Sequence, residues 1–239
     1  MEPRQVWEGY VIIMCGRYTI TVSLEELMLR YWIGETTVPF HKPKYNVAPG
    51  QMIMAIISDG EKNKLGELKW GLVPSWADDP KISNKMLNAR SETVWDKPAF
   101  KQLIRRKRCI IPADGFYEWR KDEVGKQPMR ITLRDRSLFS MAGLYDTWLT
   151  PEGHKLSTCT ILTTEPNELM LPIHNRMPVI LSQENETIWL DRSLQDQQHL
   201  NALLKPFPAQ LLEAYPVAAA VGNVANDNAA CIEPIRLDN

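Results

Sequence analysis

Arg108-Cys109-Ile110-Ile111-Pro112-Ala113-Asp114-Gly115-Phe116-Tyr117-Glu118-Trp119-Arg120 reads as two short strands joined by a turn. The strands are expected at 108–112 and 116–120, the first opening on the apolar run Cys109-Ile110-Ile111. The second half alternates, so Glu118 points away from the face shared by Tyr117 and Trp119. Further strands are expected at 128–134, 137–144 and 156–163, each separated from the last by a turn.

The flanks differ. Ser23-Leu24-Glu25-Glu26 is a capping box, and Leu24, Leu27, Met28, Tyr31 and Trp32 follow at helical spacing, with Gly34 as the stop. Met52 to Ile57 is a buried strand paired with Leu65–Trp70 across a turn at Ser58-Asp59-Gly60. Residues 71–98 hold Pro74, Pro80 and Pro98 and read as loop, before a short helix around Ala99–Arg106. Two more helices begin near Ser182 and Ser193, and the tail from Val217 is loop with at most one strand. Strands dominate the middle without βαβ alternation. The expectation is an α+β fold, a single compact domain of coiled, largely antiparallel sheets with flanking helices.

Composition narrows the function classes. The 239 residues suffice for a sizeable core, and the net charge of −1 supplies no global attraction to nucleic acid or membrane. Any nucleic-acid site must be a local basic patch. The four cysteines are far apart and no histidines have ligand spacing, so neither a disulfide framework nor a metal is expected, and no cofactor. Cys109 and Cys159 open apolar runs and are expected as buried strand residues. No apolar run is long enough to span a membrane, and residues 1–14 lack a signal peptide's h-region. A cytoplasmic monomer is the default expectation.

Met14-Cys15-Gly16-Arg17 carries distinctive chemistry. A cysteine exposed by removal of the preceding methionine has an α-amine and a thiol on adjacent carbons. Such a 1,2-aminothiol closes a thiazolidine ring on an aldehyde, which no internal cysteine can do.

Other side chains admit two readings each. Glu118 is either a solvated strand carboxylate or a general acid or base with a raised pKa. His174, in Ile173-His174-Asn175-Arg176, is either structural or catalytic. His41, His154 and His199 are expected at the surface. Arg105, Arg106 and Arg108, with Lys107, form a run of four positive charges. It is either a solvated face or, with Arg17, Arg90 and the loop residues Trp70 and Trp76, one cleft offering phosphate contacts and stacking surfaces to single-stranded nucleic acid.

Six ordered motifs resemble the SOS-response-associated peptidase family of abasic-site processing proteins. They are Cys15-Gly16-Arg17, Asn46-Val47-Ala48-Pro49-Gly50, Trp70-Gly71, Asn88-Ala89-Arg90 with Glu92, Ala113-Asp114-Gly115-Phe116-Tyr117-Glu118-Trp119, and Ile173-His174 with Arg176-Met177-Pro178. The resemblance implies binding of single-stranded DNA with abasic sites and a covalent thiazolidine link from an N-terminal Cys15 to the sugar aldehyde. It matches Asn88, Glu118 and His174 to the family's active site, Arg17 and Arg90 to its DNA-contacting arginines, and Trp70 to a base-stacking tryptophan.

The segment before Cys15 departs from that pattern, because an amide nitrogen cannot form an imine. Either translation starts at Met14 or the protein cuts its own Met14–Cys15 bond. The expected organisation is therefore an extension over 1–14, absent or removed in the active form, and one domain over 15–239. Two other functions compete. One is an N-terminal-nucleophile glutamine amidotransferase-type hydrolase, which would release ammonia from glutamine. The other is a non-catalytic single-strand DNA-binding module, which would bind intact and abasic DNA alike.

Overall fold

The computed structural model describes residues 15–121 and 125–237. The extension expected over 1–14 lies outside them. In chain order the strands and helices are β1 (Tyr18–Ile20), α1 (Leu24–Arg30), β2 (Ile33–Thr36), β3 (Lys44–Val47), β4 (Met52–Ser58), β5 (Asn63–Trp70), β6 (Asn88–Arg90), α2 (Leu103–Arg106), β7 (Arg108–Ala113), β8 (Gly115–Lys121), β9 (Lys126–Leu133), β10 (Phe139–Leu149), β11 (Lys155–Thr164), β12 (Met177–Pro178), β13 (Ile180–Leu181), α3 (Gln183–Leu190), α4 (Gln197–Ala202) and β14 (Leu212–Pro216).

Two sheets result. The smaller runs β14-β9-β8-β1-β3 and is antiparallel throughout. The larger runs β12-β11-β10-β7-β4-β5-β2, with β6 and β13 attached to β11 and β10. A parallel pairing of β11 with β5, Thr158 opposite Lys69 and Cys159 opposite Trp70, closes β11, β10, β7, β4 and β5 into a ring. The other parallel pairs are β6 with β11 and β2 with β5. The α+β, largely antiparallel expectation holds.

Asp114-Gly115 turns the chain from the larger sheet into the smaller. Ile110, Ile111 and Ala113 are fully buried on the first strand, as are Phe116 and Tyr117 to within 1% on the second. Each large side chain so placed contributes about 1.5–3 kcal/mol. Asp114 then ties β1 to this corner. It accepts from the Thr19 hydroxyl, from the Thr21 N–H at 2.6 Å and from Arg130 Nη2 at 3.1 Å. Gly115 makes room for that arginine, since a Cβ there would lie 2.7 Å from Arg130 Nε.

Several boundaries moved. Ser23 caps α1 by accepting from Glu26 N–H, as expected, but the helix stops before Gly34. Trp32 leaves the helix at φ 50 and is 87% exposed, so the apolar stripe does not extend to it. The loop over 71–98 contains β6, a strand of three residues without an apolar run to announce it. The last helix is capped by Asp196 rather than starting near Ser193. Among the described residues no helix is long and apolar enough to cross a membrane.

Candidate active site

β1 and β8 are neighbours, with Tyr18 opposite Phe116, and Tyr117 N–H donates to Arg17 O at 3.0 Å. That register brings the residues just before β1 alongside Glu118. Cys15 N donates to Glu118 Oε1 at 2.7 Å, and the Cys15 thiol stands beside the same carboxylate. Cys15 is 5% exposed and Glu118 2%. Glu118 is therefore not the solvated carboxylate that alternation alone allows. The sheet is covered on both faces at this point, so the side opposite the aromatics is also interior.

Burial sets the protonation states. It raises Glu118 to about 7, against the opposing pull of the hydrogen bonds from Cys15. Burial, and then the neighbouring Glu118 charge, push the Cys15 thiol well above its ordinary value and keep it protonated. His174 Nε2 lies 4.0 Å from Glu118 Oε2. Desolvation lowers the histidine's pKa, so at neutral pH it stands beside Glu118 as a neutral ring and the pair is not a salt bridge. His174 Nδ1 lies 3.1 Å from Arg176 N and 3.3 Å from Arg176 O, and the ring's tautomer decides which of the two it bonds. Cys15 itself is at φ 45, a left-handed conformation that strains a residue with a Cβ.

Asn88 and Arg90 stand at the end of β11, where β6 pairs Ile161 with Asn88 and Thr163 with Arg90. On the opposite edge of β11, β12 pairs Thr163 with Pro178. The histidine loop and the asparagine strand thus meet at Thr163. Asn88 Nδ2 is enclosed and has no acceptor among the described residues, while Arg90 is exposed.

The expected basic cleft is not one surface. Trp70 is 1% exposed, tilts against Tyr18 at 5.6 Å and donates Nε1–H to Leu87 O at 3.0 Å, so it presents no face to a base. A strand-terminal tryptophan between two sheets is core, and the motif's position beside a loop does not reveal this. Arg108 is 4% exposed and donates to the carbonyls of Trp189, Ile104, Arg105 and Asp191, which removes it from any surface. Arg17 is half-buried and donates to Asn46 Oδ1 and Val221 O at 2.9 Å and to Gly222 O at 3.1 Å.

Trp76, 59% exposed, lines a groove of about 530 Å³ with Arg105, Arg106 and Lys107. Buried Asp146 builds it, accepting from Ser75 N–H at 2.8 Å and from Lys107 Nζ at 2.6 Å. Of the other histidines, His154 and His199 are exposed, whereas His41 is half-buried with an enclosed Nε2.

The sequence reading also passed over a clamp. Asn46 is 1% exposed, and its Nδ2 donates to the carbonyls of Val221, Asn223 and Asn226. Asp227 returns the contact by accepting from the N–H groups of Tyr45 and Asn46. The C-terminal segment is thereby strapped across β3 and against Arg17. Asn46 inside a strand run was the available signal, since a buried amide there must find partners.

A family model described as SOS response associated peptidase (SRAP) matches residues 14–224. The chain belongs to this family. Among SRAP relatives, it is 50% identical to the abasic site processing protein YoqW of Bacillus subtilis, across 92% of this chain and 99% of that one. It is 35% identical to the abasic site processing protein HMCES of Gallus gallus, across 82% of this chain and 68% of that one. A crystal structure of a protein from Bacteroides thetaiotaomicron shares the SRAP chain's fold with a TM-score of 0.85 at 31% identity, covering 92% of this chain and all of that one.

Proposed function

We propose that this protein processes abasic sites in single-stranded DNA by forming a covalent thiazolidine link through Cys15, in a form that begins at that residue. Membership of a family whose relatives are named abasic site processing proteins supports the lesion as substrate. The observation that carries the chemistry is the convergence of the Cys15 nitrogen and thiol on one buried carboxyl, Glu118, with His174 Nε2 4.0 Å behind it.

In a chain beginning at Cys15, the nitrogen now donating to Glu118 is an α-amine, with an ordinary pKa near ~7.7. Glu118 near neutrality accepts a proton from the ammonium as readily as it returns one. His174 and Glu118 are the groups available to move the proton that opens the sugar hemiacetal to its aldehyde. The free amine adds to the aldehyde carbon, and the carbinolamine loses water, with Glu118 as acid, to give an imine. The thiol then adds to the imine carbon, forming the C–S bond, and its proton ends on the ring nitrogen. A thiol kept protonated suits this order, because the amine attacks first. Asn88, with an unspent donor, holds the sugar oxygen. Arg90 contacts phosphate, and Arg17 keeps any such role only through donors its internal bonds leave free. The groove of Trp76, Arg105 and Arg106 supplies stacking and charge to the strand.

The test uses an abasic single-stranded oligonucleotide. A heat-stable adduct is expected with Cys15 at the terminus. Cys15→Ala keeps the amine and loses the sulfur, so it should give only a species trapped by borohydride. Release of ammonia from glutamine without an adduct would assign the amidotransferase reading instead.

A further inference from the structure

The neutral His174 ring has a choice of proton position that its own loop decides. Nδ1 lies 3.1 Å from Arg176 N and 3.3 Å from Arg176 O. The first contact makes Nδ1 an acceptor and sends the proton to Nε2, toward Glu118. The second would make Nδ1 a donor and leave a lone pair facing the carboxyl. The two contacts differ only in which backbone group of residue 176 the ring faces, so whatever fixes residue 176 fixes the tautomer.

Arg176 is fixed by its own side chain. Nη1 donates to Glu92 Oε1 at 2.7 Å and Nη2 to Glu92 Oε2 at 2.9 Å, a two-pronged fork. Nη2 also donates to Thr163 O at 2.7 Å. Glu92 sits in the 3-10 turn Ser91–Thr93, directly after β6. The fork therefore bolts the histidine loop to the strand carrying Asn88 and Arg90, over the β11 residue that both flank.

Resting on the function proposed above, we infer that Glu92 and Arg176 are a positioning pair: they hold the His174 loop so that the ring proton stays on Nε2, aimed at Glu118. Glu92 is the better residue to test, since its side chain is 48% exposed and touches Arg176 rather than the reacting atoms.

The experiment uses the protein in the form that begins at Cys15, verified by intact mass, and reads two quantities. Nitrogen-15 NMR of the histidine rings reports the His174 tautomer, assigned by the signal lost in His174→Gln. The rate of adduct formation on abasic single strands reports the consequence. Wild type should show the Nε2–H form. Glu92→Ala should show a mixture and form adduct about 10-fold more slowly, a fraction of what general acid–base catalysis contributes. Its affinity for intact single strands should stay within about two-fold of wild type, and Glu92→Gln should recover part of the rate. In a His174→Ala background the Glu92 substitution should cost nothing further. An unchanged tautomer in Glu92→Ala, or an equal loss with and without His174, overturns the inference. If wild type forms no adduct at all, the proposed function fails, and the tautomer measurement decides the clamp by itself.

Discussion

The backbone nitrogen of Cys15 lies 2.7 Å from Oε1 of Glu118, with both residues at most 5% exposed. Cys15 is thus an interior position, held by a carboxyl whose proton affinity falls near neutrality.

The N-terminus comes first among the consequences. The reactive protein should have the mass of a chain beginning at Cys15. One extra residue retained before Cys15 should abolish adduct formation, because the nitrogen becomes an amide. Crosslinking by a species whose intact mass includes residues 1–14 would falsify the thiazolidine mechanism.

Glu118 makes stability depend on pH in an uncommon direction. Its folded pKa is raised from 4.5 to about 7, so between those values the folded state holds a proton that the unfolded state has released. Stability should fall as pH rises through that window and level off above it. The rise, at about 1.4 kcal/mol per unit, amounts to about 3 kcal/mol. Urea midpoints for Glu118→Gln should lack this slope, and the variant should exceed wild type above pH 7. Its adduct formation should be about 100-fold or more slower. Parallel pH–stability curves in the two proteins would refute the assignment.

The two tryptophans should separate cleanly. Trp70→Ala removes a core side chain and should cost about 3–5 kcal/mol in thermal or urea unfolding. Trp76→Ala should leave stability within about 0.5 kcal/mol and weaken single-strand binding by about 1–3 kcal/mol in a fluorescence titration. Equal binding by Trp76→Ala and wild type would remove the groove from the DNA path.

The arginines divide likewise. Neutralising Arg106 or Arg90 should lower the slope of log affinity against log salt by about 0.7 each. Arg108→Ala should leave buried carbonyls unpaired and destabilise the fold by about 3 kcal/mol, without lowering the salt slope of the fraction that folds. A reduced slope in Arg108→Ala would place that residue back on the surface.

Much of the fold was legible because strand periodicity and turn chemistry agreed over residues 52–70 and 108–164. The Ser23 cap and the buried Cys109 and Cys159 follow from local rules. β6 was not legible, since three residues carry no period and its only partner is a strand some 70 positions away. Of the site, the Cys-Gly-Arg start and the Glu118 and His174 peptides were visible as chemistry. Their burial was not: alternation says which face a side chain takes, and only the second layer says whether that face meets water. The same limit misplaced Trp70 and Arg108, whose types suit a nucleic-acid surface but whose neighbours in space enclose them.

The strap formed by Asn46 and the carbonyls of residues 221–226 has a consequence for biosynthesis. A ribosome delivers the chain from its N-terminus, so Cys15 and Arg17 emerge long before Val221 and Gly222, whose carbonyls Arg17 needs. Through most of translation this segment lacks that support. The contacts around Arg17 are completed only when nearly the whole polypeptide has been released, so under the proposed function the aldehyde-trapping site is the last part of the domain to mature.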